Sequence, residues 1–285
     1  MIYSSAQDWF DAPAKRVCLF GMSGLGKSYV SNMLREGGDW FHYSVDYRIG
    51  TRYMGEAIVD NAKAEAMKVP FLAELLRSDS IYIASNITFE NLDPLSTYLG
   101  KPGDAALGGL DLAEYQRRQD QHHAAETAAL LDTPHFIKRA TQLYGYTNFV
   151  CDSGGSICEV VDASNPNDPV MHSLSQSLLM VWIEGSDAHT SELVRRFDAA
   201  PKPMCYQPRF LLDCWSDYLQ EFNAQPDKVN PDDFVRWTYA RAMAHRQPLY
   251  AAMAKWGVTV SADAVAGVKD VSGFERMIGA ALDAA

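Results

Sequence analysis

Eight consecutive residues, Gly21-Met22-Ser23-Gly24-Leu25-Gly26-Lys27-Ser28, have the types and order needed to hold a nucleoside triphosphate. They fit G-x-x-x-x-G-K-[ST], the phosphate-binding P-loop. Gly24 and Gly26 let the backbone bend so that successive N–H groups face phosphate oxygens. Lys27 is expected to reach the β- and γ-phosphates and Ser28 to ligate Mg²⁺, with Tyr29 ending the nucleotide-binding stretch. The chain carries no N-K-x-D guanine motif, which favours ATP.

Further candidates stand where strands should end. Ligands of parallel α/β sheets bind outside the carboxyl ends of strands. Residues 40–45 read as a strand with Asp46 at its end. Asp46 can hold Mg²⁺ through water, take a proton from an attacking hydroxyl, or cap the helix predicted over 47–54. Arg48 and Arg52, four apart, share a face of that helix. They suit an anionic substrate, or a solvated face paired with Glu56. Asn148-Phe149-Val150-Cys151-Asp152 is an apolar strand ending in acid, the form of a Walker-B carboxylate. Gly154 and Gly155 after it admit a ligand close to the backbone, or make an ordinary turn.

Positioning these groups takes a strand over Arg16–Phe20 and a helix over 29–36, whose N-terminus adds positive potential. From 55 to 145 the pattern is mainly helical, over 57–67, 71–77, from Asp93-Pro94 to 99, 110–131 and 135–144. Ser80-Ile81-Tyr82-Ile83-Ala84 reads as a short strand. His122 and His123 are adjacent and so face apart on a polar helix, where both read as solvated. Beyond 146, residues 178–183 read as a buried strand and 189–197 as a helix carrying Arg195 and Arg196. Pro201-Lys202-Pro203 breaks it. Helices follow over 210–222, 231–245 and 249–256, with Trp215, Tyr218, Trp237 and Tyr239 as packing residues. The last strand is Gly257–Ser261 and the closing helix 271–284.

The chain has 285 residues, 47% hydrophobic, enough for one large domain or a core with a sizeable insertion. A net charge of −11 disfavours a nucleic-acid partner. Five cysteines without a C-x-x-C pair suggest reduced thiols and a cytoplasmic location. There is no signal-peptide pattern and no apolar run long enough for a membrane span.

Together these landmarks resemble shikimate kinase and its relatives among the small P-loop kinases, which include gluconate and nucleoside monophosphate kinases. The resemblance covers about residues 14–54 and 147–285. Ser153-Gly154-Gly155 is similar to the family's glycine motif beside the acceptor. Leu193-Val194-Arg195-Arg196-Phe197 with Lys202-Pro203-Met204 is similar to its lid helix and Arg-Pro-Leu-Leu segment. Arg246-Gln247-Pro248-Leu249-Tyr250 with Ala254 is similar to R-x-P-x-Y-x-x-x-A, whose Arg binds the acceptor carboxylate. The resemblance implies lid roles for Arg195, Arg196 and Lys202, and acceptor contacts for Gly154, Gly155 and Arg246. The family's D-x-D is here Ser44-Val45-Asp46, Lys202 replaces the lid Arg, and the acceptor region is far longer. A different acceptor is therefore expected.

The expected fold is α/β: a three-layer P-loop NTPase fold with about five parallel strands. Residues 1–54 and 146–285 form the core, and 55–145 a helical insertion for substrate or partner. The expected function is ATP- and Mg²⁺-dependent phosphoryl transfer to a small hydroxylated anionic metabolite. Lys27, Asp46 and Arg196 are the catalytic residues and Ser28, Asp46 and Asp152 the metal ligands, with Arg48, Arg52 and Arg246 toward the acceptor. The alternatives are an ATPase or nucleotide-controlled regulator whose insertion binds a protein, and a kinase acting on a macromolecule.

Overall fold

Strands with continuous apolar centres lie inside a parallel sheet, covered on both faces, and three such runs set this architecture. A computed structural model describes all 285 residues. Its single sheet holds five parallel strands in the order β2-β3-β1-β4-β5: β1 Arg16–Phe20, β2 Trp40–Ser44, β3 Asn148–Asp152, β4 Leu179–Glu184 and β5 Gly257–Ser261. β1, β3 and β4 are the interior strands and are almost wholly buried, whereas edge strand β5 alternates buried and exposed. In register, Asp152 stands level with Leu19 on one side and Ser44 on the other.

The helices in chain order are α1 Ala6–Asp11, α2 Lys27–Glu36, α3 Val45–Arg48, α4 Gly55–Ala66, α5 Pro70–Arg77, α6 Asp93–Leu99, α7 Leu112–Leu131 and α8 Thr133–Tyr144. After β3 come α9 Ile157–Val160, α10 Pro169–Ser177, α11 Asp187–Ala199, α12 Pro208–Glu221, α13 Pro231–Ala254, α14 Ala262–Gly267 and α15 Val271–Asp283. A π-turn, Ile49–Tyr53, follows α3. Both α2 and α8 pack on β2 and β3; α2 neighbours α15, and α8 neighbours α10. The two pairs therefore cover opposite faces, giving three layers. No helix is long and apolar enough to cross a membrane.

Two compact units divide the chain. The first gathers Met1–Val45, Glu126–Pro201 and Arg236–Ala285, and so contains the sheet. The second gathers Asp46–Ala125 and Lys202–Val235. Its centre is aromatic: Phe234 meets Trp215 and Tyr218 edge-on, with ring centroids 5.0 and 5.4 Å apart. The second unit thus draws on a late segment, 202–235, as well as on most of the stretch 55–145.

Three local expectations are corrected. Residues 80–84 pair in no strand. The break expected between 245 and 249 is absent, because α13 runs on through Pro248. That turn is anchored by the buried side chains of Arg246 and Tyr250, which offset the hydrogen bond that proline removes. Polar α7 is not a solvated helix. Its Arg118, Gln119 and His122 are buried. Gln119 bonds the Met204 carbonyl at 3.0 Å and the Tyr206 N–H at 2.9 Å, and Arg118 bonds Glu114 at 2.7 Å and Asn61 at 2.9 Å. Polar groups are buried at little net cost once they are paired.

A pH effect follows for His122. Burial, and then the neighbouring His123, push its pKa down to about 4. The unfolded chain takes up this proton near pH 6.5, and the fold refuses it until about 4. The unfolded state therefore binds more protons in that window, and stability falls as pH falls through it, by roughly 3 kcal/mol in all. Urea midpoints measured from pH 7 to pH 4 should show this loss, and His122→Gln should flatten the slope. An unchanged slope in that variant would assign the acid sensitivity elsewhere.

Candidate functional site

The loop between β1 and α2 is a backbone problem before it is a chemical one. β1 lies at the centre of the sheet, and the chain must turn from its buried end into a helix within six residues. Gly21 solves the first step with φ +137°, and a Cβ there would stand 2.6 Å from the Ile183 carbonyl oxygen. Gly24 and Gly26 follow at +89° and +99°. Left-handed backbone of this kind is readily adopted only by glycine. Met22 and Leu25 point inward and are buried, while Ser23, Gly24 and Ser28 are exposed. The loop is thus pinned by its apolar members and open along its polar ones.

Lys27 opens α2 and is only 6% exposed. Its Nζ donates to the Gly21 carbonyl at 2.7 Å and to the Met22 carbonyl at 2.9 Å. The ammonium therefore lies back over the loop it follows. Ser28 is in the exposed first turn, at the positive end of a ten-residue helix. Tyr29 is exposed beside it, 3.4 Å from the Val268 carbonyl.

The turn after β3 meets this loop. Ser153 donates through N–H and Oγ to the Leu19 carbonyl, at 3.2 and 2.9 Å. Gly155 packs on Ser23: a Cβ there would overlap the Ser23 hydroxyl and stand 3.2 Å from its backbone nitrogen. The Gly155 carbonyl accepts from Tyr250 Oη at 2.6 Å and from Arg246 Nη1 at 3.2 Å. Arg246 also donates through Nε to Glu159 at 2.6 Å, and His245 stands 3.7 Å from the same carboxylate. Burial opposes the Arg246 charge, but Glu159, Cys158 and Tyr250 around it together outweigh burial and raise the pKa. Arg246, expected to bind an acceptor carboxylate, is 3% exposed and engages this internal one. Asp152 is buried at the end of β3, its carboxylate 3.8 Å from His42 Nε2.

The first unit thus brings together Gly21 to Tyr29, Asp152, Gly154, Gly155 and Arg246. Leu193 of α11 packs toward Gly24, 2.8 Å from where its Cβ would be. Arg195 and Arg196 on the same helix are exposed, both held by Glu192 at 2.7 Å. The second unit holds Asp46 and Arg48 in α3, Arg52 in the π-turn, and Lys202, which lies 4.0 Å from Asp93. Arg48 sits over the Tyr53 ring, 5.5 Å from its centroid. Sequence reasoning missed Glu159 and His42, and quoted Tyr250 in a motif without giving it a role. Tyr250 carried a signal, since it stands one helical turn after Arg246 on the same face. Nothing local marks Glu159 as the partner of a residue 87 positions away.

Comparison with protein-family models, curated proteins and solved structures finds no match to this chain.

Proposed function

We propose that this chain binds ATP with Mg²⁺ and transfers the γ-phosphoryl group to a small hydroxylated, anionic metabolite. The observation that carries this reading is the loop at residues 21–28. It joins a central strand to a helix N-terminus through three left-handed glycines, with the Lys27 ammonium folded over two of its carbonyls. Such a loop presents N–H groups and one cation to a polyphosphate. The oxygen donors nearby fit a hard divalent cation: Ser28 in the first helical turn and Asp152 at the strand end. Bound Mg²⁺ would neutralise charge between the phosphates.

In this reading Lys27 and the loop amides hold the β- and γ-phosphates. Ser28 supplies a hydroxyl and Asp152 a carboxylate toward the metal. Asp46 orients or deprotonates the acceptor hydroxyl. Arg195 or Arg196 exchanges Glu192 for the transferring group, and Arg48 and Arg52 attract the acceptor anion. Catalysis is positioning plus charge stabilisation. A cytoplasmic location accords with five free, buried cysteines.

The test is ADP release with Mg²⁺-ATP, alone and with hydroxylated acids, sugars and nucleoside monophosphates. One compound should raise turnover many-fold and gain phosphate. The second reading is an ATPase or nucleotide-controlled regulator, favoured by the separate unit built from 46–125 and 202–235. Turnover that no compound raises would select it. Absence of nucleotide binding would reject both.

A further inference from the structure

Residues 81–87, Ile-Tyr-Ile-Ala-Ser-Asn-Ile, run through the second unit without helix, turn or bend. Burial alternates along them. Ile81, Ile83, Ser85 and Ile87 are partly buried, while Tyr82, Ala84 and Asn86 are exposed. That is the period-two signature of a half-buried strand, in a composition rich in strand formers. Yet no strand lies beside it. The backbone bond made here is from Asn91 Nδ2 to the Asn86 carbonyl, at 2.6 Å. The other N–H and C=O groups of the stretch have no ladder partner, and such an edge is a template for another chain.

A cavity of about 370 Å³ adjoins it within the same unit. Ile58 and Ala62 of α4, Ile83 of the stretch itself, and Pro94 of α6 make its wall apolar. Its base is held in place by buried Arg118, which bonds Asn61 Oδ1 at 2.9 Å and lies 4.6 Å from the Tyr98 ring centroid. Asp93, with its side chain 82% exposed, is the one charged residue in the lining.

We propose that residues 81–87 and this cavity form a docking site for an extended peptide segment of a partner protein, added as a strand along 81–87. The occupant follows from what is left unpaired. Donors and acceptors repeating at strand spacing are matched by another polypeptide backbone, whereas a small metabolite pairs with one or two of them. The cavity takes an aliphatic side chain, and Asp93, exposed and only loosely paired with Lys202 at 4.0 Å, favours a lysine or arginine over an acid in the same segment. A second copy of this chain complements the site less well, because its own 81–87 carries no cation. The inference stands apart from the phosphoryl-transfer reading, since it uses none of the residues given a role there.

The experiment selects a random dodecapeptide library against the full chain, then follows amide hydrogen exchange with the strongest binder. Enriched peptides should alternate apolar residues and carry a basic one, and should slow exchange across 81–87. Alternate N-methylation of the peptide should weaken binding at least tenfold. Ala84→Pro and Ser85→Pro each remove one N–H from a stretch that forms no helix, turn or bend. Adjacent N–H groups face opposite edges, so one variant should lose binding at least tenfold while the other keeps it. The proposal is overturned if no peptide is enriched or if protection falls outside 81–87. Binding indifferent to N-methylation and to both prolines would overturn it as well. Slow exchange in the free protein that depends on its own concentration would assign the edge to a second copy instead.

Discussion

If the glycine loop binds nucleotide as proposed, Lys27→Ala should abolish that binding at working concentrations and lower kcat/KM by at least a hundred- to a thousandfold, the scale of losing one preorganised electrostatic contact to developing charge (roughly 3–4 kcal/mol). The geometry gives the reason. Lys27 Nζ is already desolvated and held 2.7 and 2.9 Å from two loop carbonyls, so little entropy remains to be lost when it turns to a phosphate. Alanine is a good helix former at this first helical position, and the glycines that shape the loop are untouched. Binding should therefore vanish while the melting temperature changes by a few degrees at most. Lys27→Arg should not rescue it, because a planar guanidinium cannot occupy the place of a compact ammonium between the Gly21 and Met22 carbonyls. The measurements are calorimetric titration with ATP and with ADP, alongside steady-state turnover. Near-normal turnover in Lys27→Ala would remove the loop from the mechanism.

The sheet was legible in the sequence because parallel interior strands bury both faces. Their apolar runs stand out without knowledge of their neighbours, and the bounds of β1, β3 and β5 were read to the residue. The glycine loop was legible for a related reason: positive φ and close approach restrict residue type locally. What failed was whatever depended on a distant partner. Residues 80–84 have strand composition, but a strand needs a neighbour, and none is supplied within the chain. His122 sits on a helix whose polarity suggested water, whereas that helix satisfies Arg118 and Gln119 against residues as far away as Asn61 and Tyr206. Pro248 looked like a helix break because its cost is local, while the anchoring of Arg246 and Tyr250 on Gly155 is not. Separation in sequence also hid the contribution of 202–235 to the second unit.

The buried pair Arg246–Glu159 should carry a large share of the fold's stability. Glu159→Ala removes the carboxylate 2.6 Å from a guanidinium that is 3% exposed. Breaking a buried pair from one side costs roughly 3–5 kcal/mol, because the remaining charge keeps its desolvation penalty without the attraction that offset it. Glu159→Gln keeps an acceptor for Arg246 Nε and should lose less. The double variant Glu159→Met with Arg246→Met should recover most of the stability, since apolar side chains of similar volume often replace a buried ion pair at little cost. Urea midpoints at pH 7 measure all three, and a Glu159→Ala loss below about 1 kcal/mol would show that the pair is not coupled as its geometry indicates. The recovered double variant also separates folding from function. Tyr250 alone would then hold the Gly155 carbonyl, and Gly155 is the residue that backs Ser23 in the glycine loop. If the loop binds nucleotide, that variant should be stable yet bind ATP several-fold more weakly than the parent. Full affinity would mean that the loop is shaped by its own glycines and Lys27, and that Arg246 serves the fold alone.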